Sequence, residues 1–140
     1  MSPLTMTFTQ SIKYCLSHYA DFNGRATRSE FWWFFLFCSL ITFVISIPAT
    51  VLLILAVANS GSSAGIALIV AGIVLFAAAI VFSLAMVVPN LAVGCRRLHD
   101  KGLSGWLQLI QLISPGIIVL WVMWALEGDQ QANQYGPVRQ

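Results

Sequence analysis

The chain has 140 residues, of which 59% are hydrophobic and 9% are charged, and its net charge is +2. Soluble domains carry about 25% charged residues, and a small domain buries only about two-thirds of its surface, so the apolar excess has to face lipid or a partner. The same composition excludes a disordered chain, and the small net charge gives no indication of nucleic-acid binding.

The N-terminal segment, residues 5–20, is predicted to form a short amphipathic helix. Its apolar residues recur at helical spacing. They are Phe8, Ile12, Cys15, Leu16 and Tyr19. Such a helix either lies in the membrane interface or packs on the other helices, and both placements stay open. Asn23-Gly24 then predicts a turn, and Ser29 is the expected cap of the helix that follows.

Three long apolar runs follow, at 31–58, 64–93 and 103–126, and none of them contains Lys, Arg, Asp or Glu. A hydrocarbon core of roughly 30 Å needs about 20 apolar residues in a helix, and each run exceeds that length. An isolated apolar strand would leave its backbone groups unpaired in lipid, so helix is the expected structure. We therefore predict an all-α membrane protein, with one interfacial helix, three transmembrane helices and a polar tail over 127–140 in a single membrane domain.

The basic residues predict an orientation for these spans. Six of the seven precede span one or lie between spans two and three, and only Arg139 lies in the tail. Because positive charge collects on the cytoplasmic side, we expect a multi-pass protein with its N-terminus cytoplasmic and its C-terminus outside.

The tryptophans fit this arrangement as interfacial anchors. Trp32 and Trp33 mark the cytoplasmic end of span one, and Trp106 marks the same end of span three. Trp121 and Trp124 mark its far end, about 27 Å from Trp106 at 1.5 Å per residue. That separation matches two aromatic belts.

Span three contains a break at Ser114-Pro115-Gly116. Proline removes a backbone donor and usually kinks a helix. Membrane helices tolerate such residues, so a kinked single span is favoured. The alternative is a re-entrant hairpin, which would return the tail to the cytoplasmic side.

Span two carries a stripe of small residues on one helical face. Small residues let membrane helices approach closely, so this stripe is a candidate face for helix packing or for a homo-oligomer. Its members are Ala67, Ala71, Ala78 and Ala85.

The charged residues on the predicted cytoplasmic side form the candidate site. Arginine and lysine there can bind anionic lipid or phosphate, and the candidate binding residues are Arg25, Arg28, Arg96, Arg97, His99 and Lys101. Alternatively, Glu30 and Asp100 pair with these cations and lock the helix ends together. Neighbouring residues on a helix project about 100° apart, so His99 and Asp100 are not a catalytic dyad by sequence alone. No cofactor or metal ligation is predicted, since metal-ligand spacing is missing.

Three blocks of the sequence carry a resemblance to a known family. They are 22–32 (FNGRATRSEFW), 96–106 (RRLHDKGLSGW) and 133–137 (NQYGP). With them the chain resembles the bacterial inner-membrane family called domain of unknown function 805. It departs from the family pattern at Leu107, where a second aromatic residue often follows the tryptophan. The resemblance implies a small multi-span protein of the bacterial inner membrane and supplies no mechanism.

Three functions are compatible with these features. The first is a non-enzymatic inner-membrane protein that binds anionic lipid or a membrane partner through its basic face. The second is an oligomeric channel or transporter, which the few polar residues of the spans disfavour. The third is an enzyme acting on a lipid or a lipid-linked phosphate, with His99 as acid or base.

Overall fold

A computed structural model describes residues 5–113 and 115–138. The chain forms four α-helices in these residues, α1 (Phe8–Ser17), α2 (Arg28–Ala58), α3 (Ser63–His99) and α4 (Gly116–Ala125), and a 3-10 helix at Gly105–Leu112. No strand occurs among them, so the all-α prediction is confirmed. Two compact units are present: unit 1 contains the described residues up to Leu36 and from Val88 onward, and unit 2 is Phe37–Val87. Helices α2 and α3 are each continuous through both units.

Helices α2 and α3 are long and apolar enough to cross a membrane, with mean hydropathies of 2.7 and 2.9 over their most apolar windows. Only 11% and 17% of those windows are buried. A core helix of a soluble protein would be mostly covered, whereas these two helices expose their apolar side chains. They correspond to the first two predicted spans, extended at the charged ends.

Helix α1 lies within the predicted segment and begins with a capping box. The Thr7 hydroxyl accepts from the Gln10 amide (3.4 Å), and the Gln10 side chain accepts from the Thr7 amide (3.0 Å). Its buried face holds Ser11 and Cys15, which are 0% and 1% exposed. The helix therefore packs within unit 1, and its placement in the membrane interface stays a prediction.

The start of α2 differs from the prediction by two residues. The Thr27 hydroxyl, and not that of Ser29, accepts from the Glu30 amide (3.2 Å) and caps the helix. Ser29 instead accepts from the Met6 amide (3.0 Å), which holds the segment before α1 against α2. Both residues are good caps, and their tertiary contacts decide between them.

In unit 2, α2 and α3 pack through a small-residue stripe that sequence reasoning missed. Gly65, Gly72 and Ala79, spaced seven apart on α3, are buried. A Cβ on Gly72 would lie 2.8 Å from the Leu53 side chain. The predicted stripe of Ala67, Ala71, Ala78 and Ala85 lies on the exposed side of α3. Its role as an oligomer face stays a prediction.

The predicted third span is not one helix. Gln108 donates to the Leu91 carbonyl (2.9 Å), and Trp124 donates to the Gly94 carbonyl (3.3 Å). In a continuous helix Gln108 and Trp124 would be about 24 Å apart, yet both reach carbonyls three residues apart on α3. The segment therefore reverses between the 3-10 helix and α4, which is the hairpin alternative.

The physical reason lies in the length and packing of the two halves. The 3-10 helix is about 16 Å long and α4 about 15 Å, each roughly half of a bilayer core. Pro115 cannot continue the hydrogen-bond ladder. Gly116 lies so close to the Ile110 carbonyl that an added Cβ would overlap it. Glycine at this position therefore lets the two halves pack side by side.

The reversal also corrects the predicted tryptophan belts. Trp124 is 8% exposed and packs beside α3. Trp121 lies against Trp32 and Phe35 near the start of α2, at ring distances of 6.0 and 5.4 Å. These two residues therefore lie near the end of α2 that Trp32 marks, and not at the opposite end.

Gly65→Ala tests the packing of α2 on α3. The added Cβ would overlap the backbone carbonyl of Asn59, which cannot move as a side chain can. Overpacking of this kind costs about 1–3 kcal/mol, more than alanine gains over glycine in helix propensity. We expect a lower unfolding midpoint in dodecylmaltoside. Ala67→Leu, on the exposed face, is the control and should change the midpoint little; equal midpoints for both variants would contradict the packing.

Candidate functional site

Unit 1 contains a cluster of five charged residues, here called the buried charge cluster. An unpaired ion in a protein interior costs several kcal/mol, so each of them needs partners. They are Arg25, Glu30, Arg96, Arg97 and Asp100, all at most 9% exposed. The cluster joins the turn before α2, the start of α2, the end of α3 and the C-terminal tail.

Arg25 holds the tail in place. Its Nε donates to Asp100 Oδ1 at 2.7 Å. Its two terminal nitrogens donate to four backbone carbonyls, those of Asp100 (3.2 Å), Asp129 (2.5 Å), Gln131 (2.8 Å) and Gly136 (3.5 Å). The preceding Gly24 has φ of +81°, which glycine adopts without strain, and this turn directs Arg25 inward. A guanidinium has several donors in a planar fork, and here they connect two segments more than 100 residues apart.

Arg97 secures the end of α4. It forms an ion pair with the second oxygen of Asp100, and its other nitrogens donate to the carbonyls of Trp124 (3.1 Å) and Leu126. The last carbonyls of a helix have no partner within the helix. Arg97 supplies donors for them, so the end of α4 is fixed beside the end of α3.

Arg96 connects α3 to α1 and α2. Its Nη1 lies 3.0 Å from Glu30 Oε1, and the Cys15 thiol donates to the same oxygen at 3.8 Å. The Tyr14 ring lies 5.4 Å from the guanidinium carbon, within cation–π range. Glu30 and Arg96 are 0% and 1% exposed, so this pair lies entirely inside the protein.

His99 docks the tail through its ring. Its Nδ1 lies 3.2 Å from the Gly24 carbonyl, which can only accept, so Nδ1 carries the proton. Nε2 therefore accepts from the Cys95 thiol at 3.5 Å. The ring stacks on Tyr135 at 3.8 Å with a 5° interplanar angle. With both nitrogens engaged by the protein and Asp100 engaged by arginines, these contacts do not include a His99–Asp100 pair.

Two of the predicted cations remain at the surface. The Arg28 side chain is 52% exposed and lies 3.8 Å from Glu127, which is 79% exposed. Lys101 Nζ donates to the Glu127 backbone carbonyl at 2.8 Å. Burial lowers the pKa of the Lys101 ammonium, and the charge of Arg97 lowers it further. The six predicted binding residues therefore separate into three buried arginines, the half-buried His99 and Lys101, and the exposed Arg28.

The tail lies where the three-span prediction does not allow it. Besides the Arg25 contacts, Asn133 donates to the His99 carbonyl (2.9 Å), and the Asp129 amide donates to the Asp100 carbonyl (2.8 Å). The NQYGP block thus meets the other two blocks, and the prediction of a tail at the opposite end of the spans is wrong. The cause is the hairpin, which returns the chain to the end of α3.

Two glycines that sequence reasoning passed over make this packing possible. A Cβ on Gly128 would overlap the Asp100 carboxylate, and a Cβ on Gly105 would overlap the Cys95 sulfur. In the sequence, each is a glycine beside a charged residue or a motif residue. This pattern indicates that another group comes close to the glycine, but it does not identify that group. No group of three metal-ligating side chains occurs in 5–113 and 115–138.

An open groove of about 520 Å³ lies at the start of α2. Its walls are mainly aromatic and aliphatic, and polar side chains line it only at the helix start. The lining residues are Arg28, Ser29, Trp32, Trp33, Phe35 and Leu36. Trp32 and Trp33, predicted as interfacial anchors, both line this groove, which the sequence pattern did not predict.

Comparison with known proteins supports the family resemblance. The profile of the family described as "Protein of unknown function (DUF805)" matches residues 19–137. The chain is 33% identical to "Inner membrane protein YhaI" of Escherichia coli (strain K12) over 86% of this chain and 87% of that protein. It is 32% identical to "Inner membrane protein YhaH" of the same strain over 87% and 89%. No solved structure matches significantly. With the two apolar helices, these matches confirm the predicted transmembrane protein of an uncharacterised bacterial family.

Asp100→Asn tests the buried charge cluster. The variant leaves Arg25 and Arg97 without their shared counter-ion, and breaking a buried pair costs about 3–5 kcal/mol. We expect a large fall of the unfolding midpoint in detergent and faster proteolysis of the tail. Glu127→Gln removes the same charge from an exposed pair and should cost at most about 1 kcal/mol. Similar midpoints for the two variants would show that the cluster does not stabilise the fold.

Proposed function

The chain belongs to the DUF805 family, and on that premise we propose an inner-membrane protein with two spans and a re-entrant hairpin that binds an anionic phospholipid at the start of α2. The relatives YhaI and YhaH are named as inner membrane proteins, which supports this location. In this proposal α2 and α3 span the membrane, and the N-terminus and the tail both lie on the cytoplasmic side.

The charge distribution supports this orientation. The connection between α2 and α3, at 59–62, carries no charge. The basic residues of unit 1 precede α2, begin it at Arg28 or follow the apolar part of α3. Contacts of Arg97 with Leu126 and of Arg25 with Gln131 bring the tail to the same place. An even number of crossings thus puts the basic residues on one side, as the positive-inside rule requires.

Reporter fusions test the orientation. A C-terminal green fluorescent protein should fluoresce, because it folds in the cytoplasm, and a C-terminal alkaline phosphatase should be inactive. A phosphatase inserted between Gly61 and Ser62 should be active outside. An active C-terminal phosphatase would contradict the hairpin topology and restore three crossings.

The groove at the start of α2 carries the lipid proposal. It extends about 12 Å along the helix from Arg28 to Leu36. The aromatic and aliphatic walls suit an acyl chain, and Arg28 at the polar end suits a phosphate, to which a guanidinium donates two hydrogen bonds. Tryptophan next to a cation is typical of the headgroup level of a membrane.

The buried arginines are unsuited to the same task. The donors of Arg25 and Arg97 are directed at Asp100 and at backbone carbonyls, and Arg96 pairs with Glu30. A lipid phosphate could reach them only if the tail or α1 came away. The proposal therefore narrows the predicted lipid site to Arg28, with Lys101 as its neighbour.

Arg28→Gln tests the lipid site. We expect phosphatidylglycerol retention, measured by native mass spectrometry from mixed micelles, to fall about five- to tenfold, since a charge-assisted hydrogen bond to phosphate is lost. Lys13→Gln removes the same charge from the exposed face of α1 and should retain the lipid. Phosphatidylcholine serves as the zwitterionic comparison. Full retention by Arg28→Gln, or equal losses in both variants, would contradict a site at Arg28.

A further inference from the structure

We infer that the Glu127 carboxylate is a built-in competitor for the lipid phosphate at Arg28, so that the tail regulates the groove. The inference rests on the proposed lipid site. Glu127 Oε1 lies 3.8 Å from Nη1 of Arg28, one of the residues that line the groove. A carboxylate and a phosphate offer the guanidinium the same planar pair of acceptor oxygens, so both use the same donors.

The backbone on either side of Glu127 is held in place. Its own carbonyl accepts from Lys101 Nζ at 2.8 Å, and the Leu126 carbonyl accepts from Arg97. Gly128 lies against the Asp100 carboxylate, where no side chain would fit. Because these contacts fix the main chain, Glu127 is presented to Arg28 whenever the tail is docked, and only its side chain has to move for a lipid to bind.

The pair is also weak enough to be displaced. At 3.8 Å it is longer than a normal hydrogen bond, and the two side chains are 52% and 79% exposed. This contrasts with the 2.7 Å bond between Arg25 and Asp100, whose side chains are 1% and 12% exposed. The contrast separates a permanent ion pair from one that a competing anion can replace. Exposed pairs shift an equilibrium by about two- to fivefold, which sets the size of the effect.

Arg28→Gln and three further variants test the inference in phosphatidylglycerol-binding experiments by native mass spectrometry. Glu127→Gln should raise retention about two- to fivefold above the original chain. Asp129→Asn removes the same charge two residues along the tail, where Asn133 contacts the carboxylate, and should not raise retention. The gain should vanish when Glu127→Gln is combined with Arg28→Gln, because the two residues act on one site.

The outcomes separate the two proposals. If Arg28→Gln keeps full retention, the lipid site itself is wrong, whatever Glu127→Gln does. If Arg28→Gln loses the lipid and Glu127→Gln gives no gain, only the competition is wrong. An equal gain in Asp129→Asn, or a gain that persists without Arg28, would reduce the effect to the general charge of the tail and overturn the inference. Unfolding midpoints close to that of the original chain confirm that the exposed variants are folded.

Discussion

The shared pairing of Asp100 with Arg25 and Arg97 is the constraint on which unit 1 depends. One carboxylate faces two guanidiniums, and all three residues are nearly buried. A single anion cannot satisfy so many donors, and buried donors without partners are costly. The remaining ones reach backbone carbonyls of the tail and of the end of α4. The hydrogen bonds of Arg25 and Arg97 therefore form only when the chain after α4 lies beside the end of α3.

This requirement explains the hairpin. The chain leaves α3 at His99 and has to be back beside Arg97 by Leu126. One helix over that length would carry Leu126 far away, whereas two short helices return it. The break at Pro115-Gly116 permits the reversal, and the bonds of Gln108 and Trp124 to α3 hold both halves. In the proposed re-entrant topology the hairpin would enter the membrane, where irregular backbone is tolerated if the protein covers it, and packing against α3 would meet part of that condition.

The sequence predicts well those features that depend on composition along the chain. The hydropathy of 31–58 and 64–93 predicts α2 and α3, because a long apolar helix is the stable solution for such runs. The sequence does not predict the structure of 103–126, because the hydropathy of a span and of a hairpin is the same. The sequence also does not identify the face of α3 that packs on α2, since the alanine stripe and the stripe of Gly65, Gly72 and Ala79 are both periodic. Tertiary packing against α2 decides which of the two stripes is buried.

In the candidate site, too, the sequence predicts some side-chain interactions, and others depend on tertiary structure. Pairing of Glu30 and Asp100 with arginines follows from charge and proximity of the motif blocks. The sequence does not predict that Arg25 is buried while Arg28, three residues later, is exposed. Both are arginines in one block, and only burial distinguishes them. The three segments that carry the family resemblance meet in the buried charge cluster. The residues that carry the resemblance therefore include those that hold the helix ends together. A ligand has to be sought where the same blocks reach the surface, and Arg28 is the arginine that faces both the groove and the tail.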